Sequence, residues 1–285
     1  MSVVQSSYLR QAEDDAKMGW PSRYGAPNSI DNWRHSRMLA CAQPLLRALP
    51  HAVWMTLGDG RYGSDAAYLK EQGVHATATS LTAEKLSVAC ERGFIDAYRV
   101  ENAEHISVEE NAVDFVLCKE AYHHFPRPPI ALYEMLRVAR VAAVLIEPLD
   151  NPKLLDSVKS LIKTVIRGDR EHQFEPSGKF LYRLNVKELG KLMTGMGGET
   201  LAFKGMDDFY HARLGAYSAN GFNVGALLTR LRIMVQNVLA KLSLLGFGLG
   251  CVVIFKGHPP ADIQRALHAA GFKIVELPRN PYVAQ

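Results

Sequence analysis

Between residues 52 and 148 the chain alternates between apolar, strand-like runs and helix-like stretches. "AVWMTL" (52–57), "HATATSL" (75–81), "DAYRV" (96–100), "AVDFVLC" (112–118) and "VAAVLIEP" (141–148) read as strands. "SDAAYLKEQG" (64–73), "TAEKLSVACERG" (82–93) and "PPIALYEMLRVA" (128–139) read as helices. This alternation predicts right-handed βαβ crossovers and an α/β fold, a doubly wound and mostly parallel sheet. "VAAVLIEP" is nearly all apolar, as a strand covered on both faces must be. Ser64 and Thr82 are the expected N-caps, and Gly73 suits the position just past a helix end.

After Asp150 the rhythm changes. A helix is expected over 153–167, then a polar loop, a helix at 185–196 and a strand near 199–204. Residues 205–248 are irregular and end in an amphipathic helix at 224–245, too long for an ordinary connection. They read as a lid, a substrate cap or an oligomer contact. A strand at 250–257 and a C-terminal helix with a short strand complete the chain. The expected organisation is an N-terminal helical segment (1–49), a cofactor-binding core (50–204), a helical insertion (205–248) and a last strand with its helix (249–285). In the 224–245 helix, Leu227, Leu228, Leu231, Met234, Val235, Val238 and Leu242 share one face, which is expected to pack in the core or against another subunit.

With 285 residues, 48% apolar and 22% charged, the chain can bury one large core. Its formal net charge is only +4, and the basic residues are scattered, so no nucleic-acid partner is expected. The apolar-looking stretch 224–250 carries Arg230, Arg232, Gln236, Asn237 and Lys241, too polar for a span, and no membrane partner is expected. The first residues lack a basic stretch followed by an apolar one, so a cytoplasmic protein is expected. Cys41, Cys90, Cys118 and Cys251 have no metal or redox spacing and are expected to be buried, reduced thiols. No carboxylate or histidine spacing suggests a metal.

"TLGDGRYGSDA" (56–66) places Gly58, Gly60 and Gly63 after a strand and before a helix. G-x-G-x-x-G there is a dinucleotide fingerprint, weak when alone. That reading wants a carboxylate about 20 residues on to hold ribose hydroxyls. Ser80 occupies that place, which counts against a nicotinamide cofactor. No Lys-Ser or Lys-Thr follows the glycines, so a P-loop is excluded.

The run "ENAEHISVEENAVDFVLCKEAYHHFPRPPIALYEMLRVARVAAVLIEP" resembles the middle of class I S-adenosylmethionine-dependent methyltransferases, closely over about residues 50–150. The resemblance implies a seven-stranded, Rossmann-like methyltransferase sheet, mostly parallel with a last antiparallel strand and with α-helical insertions. It implies S-adenosyl-L-methionine as cofactor and S-adenosyl-L-homocysteine as product. Gly58, Gly60 and Gly63 would line the methionine portion, and Asp59 would pair with its amino group. Ser80 would face the ribose, and Asn102 and Ala103 the adenine. Cys118, Lys119 and Glu120 end strand four, where acceptor meets methyl donor. Two positions depart from the family pattern: Thr56 and Ser80 stand where it has acids. A charge-assisted hydrogen bond is worth about 1.5–3 kcal/mol, more than a serine hydroxyl offers. Glu84, in the next helix, is a candidate substitute.

Methyl transfer to a hydroxyl benefits from a general base, most often histidine. "AYHHF" supplies His123 and His124 just beyond strand four, with His123 slightly favoured. Glu120 is a further catalytic candidate; the alternative is a rim ion pair with Lys119 or Arg127. Glu147, ending strand five, can reach the acceptor or a histidine. Trp33, His35 and Arg37 are expected to fold over the cofactor or the acceptor, or else to form a surface helix whose Trp fills an apolar groove; Tyr210 and His211 are candidate acceptor contacts. The leading expectation is O-methylation of a small molecule such as a sugar or secondary metabolite, by an enzyme that can form a homodimer. The runner-up is a catalytically degenerate methyltransferase-like binding or scaffold protein, which the losses at Thr56 and Ser80 motivate. A nicotinamide oxidoreductase is a weaker third.

Overall fold

The computed structural model describes residues 3–17, 19–153, 155–156, 180–220, 222–279 and 281–282. Four helices come first: α1 (Val3–Lys17), α2 (Ser22–Gly25), α3 (Ile30–Leu39) and α4 (Gln43–Ala48). The alternating core follows as β1 (Val53–Leu57), α5 (Ser64–Glu71), β2 (His75–Ser80), α6 (Glu84–Glu91), β3 (Ala97–Val100), β4 (Val113–Lys119), α7 (Pro128–Val138) and β5 (Ala139–Pro148). Then come α8 (Val186–Gly195), β6 (Thr200–Met206), α9 (Ala212–Gly215), α10 (Val224–Lys241), β7 (Leu249–Phe255), α11 (Ala261–Ala269) and β8 (Lys273–Glu276).

These strands form one sheet in the order β3-β2-β1-β4-β5-β7-β6-β8. β1 to β5 pair in parallel, and β7 runs against both of its neighbours, β5 and β6. The chain winds outward from β1 in one direction and from β4 in the other. A crevice therefore opens between the carboxyl ends of β1 and β4, where ligands of such sheets bind. The sheet has eight strands where seven were expected, because β8 adds an antiparallel strand to the outer edge of β6. It does so because Ile274 and Val275, adjacent in sequence, pack on opposite faces of the sheet.

The same alternation builds the core. Trp54, Phe115, Val144 and Val253 pack on one face, and Met55, Val116, Leu145 and Val252 on the other. Trp54 and Phe115 stack at 4.4 Å between ring centroids. Both faces are thus covered, which explains the unbroken apolar runs of β5 and β7.

Three local expectations change. Gly63, left-handed at φ +64°, rather than Ser64, occupies the N-cap of α5. Ala83 precedes α6, and no side chain caps that helix. α10 ends at Lys241 and turns its apolar stripe outward, which overturns packing in the core and leaves the subunit contact of the two alternatives. Its small side carries the packing: Gly225, Ala226, Thr229, Ile233 and Ala240 are buried. The helix expected over 153–167 and the polar loop after it lie almost wholly outside the described residues. All four cysteines are free; Cys41, Cys118 and Cys251 are buried, and Cys90 is half-buried.

Candidate functional site

The glycine loop is wired to itself. Asp59 is buried, and its carboxylate accepts from Asp65 N at 3.2 Å, Ala66 N at 2.9 Å and Thr56 Oγ1 at 3.0 Å. Asp59 therefore satisfies the first amides of α5, the task expected of Ser64. Burial and the adjacent Asp65 carboxylate push its pKa up to about 8, against three donors that favour the charged form. Thr79 ties the loop to β2 by donating from Oγ1 to Thr56 O at 2.7 Å. Thr56 thus serves as Asp59's donor where the family has an acid. Gly58 has φ +74°, and a Cβ there would lie 2.6 Å from Ala121 Cβ. A Cβ on Gly63 would lie 2.9 Å from Ile95. Gly60 is buried between them.

Beside Gly58 is a cavity of about 20 Å³, lined by Tyr8, Gln11, Leu57, Gly58, Ser80, Glu101, Ala103 and Phe125, among others. That space holds about one water molecule. The structure thus brings Gly58, Ser80 and Ala103 together, with Asn102 beside Ala103. Asn102 Oδ1 accepts from Glu104 N at 2.9 Å. Two acids near Ser80 are spent elsewhere. Glu101 accepts from Ser107 N, Ser107 Oγ and Arg99 Nε. Glu84 is fully exposed and is held by its own amide and Thr82, which lower its pKa.

Two polar side chains of α1, Tyr8 and Gln11, also line this cavity. Tyr8 Oη and Gln11 Oε1, both on α1, are buried without a hydrogen-bond partner. Glu104, Asn102 and Arg127 stand around Tyr8 without a bond of good geometry, and burial together with Glu104 raises the phenol's pKa. Buried polar atoms are normally paired, so these two mark an unmet contact. Nothing in the sequence pattern singled them out beyond a spacing of three on one helix.

At the carboxyl ends of β4 and β5, Glu147 is fully buried. Its Oε1 accepts from Ala121 N and Tyr122 N, both at 2.9 Å. Its Oε2 lies 2.5 Å from His123 Nδ1. Glu147 thereby pins the short helical turn Tyr122–His124 to β5. His123 is buried, His124 half-buried, and their rings are 4.0 Å apart. Cys118 is buried beneath them, its Sγ 3.9 Å from Glu147 Oε1. Burial, then the Glu147 charge, drives its thiol pKa well up, so it is no nucleophile.

Glu120 sits apart from the histidine pair, at φ +51°. Its carboxylate lies 3.5 Å from both Lys119 Nζ and His35 Nδ1. Lys119 is also 3.3 Å from Asp65 and 3.3 Å from His35 Nδ1. Burial works to lower the Lys119 pKa, but Asp65, Glu120 and Asp59 outweigh it and the net shift is upward. Burial, then Lys119 and nearby arginines, lower His35 to about 2. Arg127 instead holds Glu104, at 2.7 Å from Nε. Trp33 packs against the small cluster of Ile30, Ala219 and Ala226. Tyr210 and His211 are exposed.

No curated protein matches this chain in sequence. The methyltransferase domain family matches residues 55–146, which hold the glycine loop, the Asn102–Ala103 turn, His123 and Ile146. Among solved structures, the chain is similar to the Burkholderia thailandensis 1,6-didemethyltoxoflavin-N1-methyltransferase, which has S-adenosylhomocysteine bound. That likeness has 13% identity, covers 90% of this chain and 92% of that one, and has a TM-score of 0.52. A SAM-dependent methyltransferase of Methanosarcina mazei is 18% identical over 74% of this chain and 94% of its own, with a TM-score of 0.47. One from Thermotoga maritima is 17% identical over 78% and 90%, with a TM-score of 0.46. Fold, glycine loop and domain match agree: over residues 55–146 the chain carries a class I S-adenosylmethionine-dependent methyltransferase domain.

Proposed function

We propose that the enzyme methylates a hydroxyl of a small-molecule acceptor, with His123 as general base. The observation that carries this reading is the His123–Glu147 pair at the mouth of the cofactor crevice. Glu147 accepts from His123 Nδ1, which leaves Nε2 as the basic nitrogen and holds the ring in one orientation. S-adenosylmethionine, when bound, supplies an electrophilic methyl group on a sulfonium. Gly58 and Gly63 let the backbone approach it, and Ser80, Asn102 and Ala103 face its nucleoside. Tyr8 and Gln11 complete the ribose contacts from α1, in place of the acid that β2 lacks. His123 Nε2 takes the acceptor's proton as its oxygen attacks in line, and the packed walls of Phe125 and Tyr122 keep water out.

Calorimetric titration with S-adenosylhomocysteine, with NAD as the control, is the first test. Micromolar binding of the former alone supports the reading and opens acceptor screening with His123→Ala as the negative control. An inert protein that binds neither would favour the scaffold reading instead.

A further inference from the structure

α10 is built inside out. Its buried side is made of Ile233 and four small residues, Gly225, Ala226, Thr229 and Ala240, while Val224, Leu227, Leu228, Leu231, Met234, Val235 and Val238 stand 46–70% exposed. Phe222 at its start and Leu242 at its end extend the same surface. At 100° per residue these side chains fill one unbroken sector with no polar residue inside it. Arg232 borders the sector on one side, Arg230 and Lys241 on the other. All three are exposed, and Arg230 and Arg232 lie over the rings of Trp33 and Phe209 at 5.3 and 3.9 Å. Residues 209–255 contain four basic side chains (Arg213, Arg230, Arg232 and Lys241) and no Asp or Glu.

The position of this helix is fixed. Ala226 packs on Ile30 and Ala219, and Asn237 Oδ1 accepts from Asp207 N, just past the end of β6. β6 runs the same way as β5, so α10 lies along the edge of the sheet where the cofactor crevice opens.

From this we infer that α10 docks the enzyme on an anionic lipid surface, lying in the plane of the interface. An apolar face rimmed by Arg and Lys is the pattern of an interfacial helix: the apolar side chains enter the acyl boundary and the basic rim meets the headgroups. A second copy of the chain is the poorer occupant. Antiparallel pairing about a two-fold axis sets Arg232 beside Arg232, and the Arg230–Lys241 rim beside itself, with no carboxylate to offset either. The strip is also small: a helix of this length is about 27 Å long and about 10 Å wide, whereas a stable dimer buries about 800 Å² per subunit.

The test is cosedimentation of the full chain with vesicles of phosphatidylcholine alone or mixed with phosphatidylglycerol. The expected result is binding to the mixed vesicles only, weakened by salt, and about tenfold weaker partition for the double variant Leu228→Glu/Leu231→Glu. S-adenosylhomocysteine affinity of that variant checks that it is folded, since α10 holds no cofactor contact. Absence of binding by the wild type, or equal binding by the variant, overturns the inference. So does a concentration-dependent dimer that the variant dissociates without any vesicle binding, which would make this face an interface between copies.

Discussion

Glu147 Oε2 and His123 Nδ1 face each other at 2.5 Å across the ends of adjacent strands β4 and β5. Glu147 Oε1 also carries two backbone amides of the turn that holds His123. One carboxylate therefore sets both where the imidazole sits and which nitrogen is basic. His123→Ala should lower kcat about 10²–10⁴-fold with cofactor affinity unchanged, the range of a lost general base. Glu147→Gln should cost a comparable factor, because its amide nitrogen would oppose Nδ1 and favour the wrong tautomer. Acceptor turnover against pH is the readout. If both variants keep the wild-type rate and acid limb, the base lies elsewhere.

Tyr8 Oη and Gln11 Oε1 are fully buried side-chain atoms without a hydrogen-bond partner, on residues that line the cavity by Ser80. Tyr8→Phe and Gln11→Ala should each weaken S-adenosylhomocysteine binding about two- to tenfold, the value of one neutral hydrogen bond. Because that cavity is so small, α1 has to shift to admit the nucleoside. Limited proteolysis should therefore cut near α1 at a rate that changes on cofactor addition. Wild-type affinity in both variants would show that Ser80 needs no help.

The core was readable because burial on both sheet faces writes itself as apolar runs, and because Gly58 and Gly63 need positive φ. Glu147 was legible as a group able to reach a histidine; its hold on the His123 turn was not, since that bond joins residues 24 apart. Tyr8 and Gln11 are not legible in the sequence, because two polar residues on the N-terminal helix α1 carry no periodic signal. The resemblance points Asp59 to the cofactor's amino group, whereas in the structure its oxygens accept from the amides of α5. The stripe of α10 is legible in the sequence as one face, but periodicity reports a face and not the direction in which it points.

Gly58→Ala should fail in two ways at once. A left-handed residue with a Cβ costs about 1–3 kcal/mol, and this Cβ would meet Ala121 at 2.6 Å. We expect a folded protein of lower thermal midpoint with no measurable cofactor affinity. Normal titration by calorimetry would show that the loop can open without that glycine.

His35 accepts from Lys119 Nζ at 3.3 Å, which requires a neutral ring, and its folded pKa is lowered to about 2. In the unfolded chain the ring protonates near pH 6.5. Between those values the unfolded state holds a proton that the folded state does not. Stability should therefore fall as pH drops below about 6.5, by up to about 1.4 kcal/mol per unit from this group. His35→Asn should flatten that acid limb by the same slope in urea titrations at several pH values. An unchanged slope would mean the ring takes up its proton without unfolding.

β8 is four residues long, with exposed Lys273 and Glu276 at its ends, yet it pairs with β6 over Thr200–Phe203. Were it removed, the outermost row of the sheet would be a seven-residue strand with an open ladder. Such a row templates the addition of any stray strand, and short charged borders are how sheets resist this. β8 thus acts as a selvage, keeping the weave from catching on its neighbours in a concentrated solution. A chain ending before Lys273 should precipitate at concentrations where the full chain stays clear, and light scattering would register the difference.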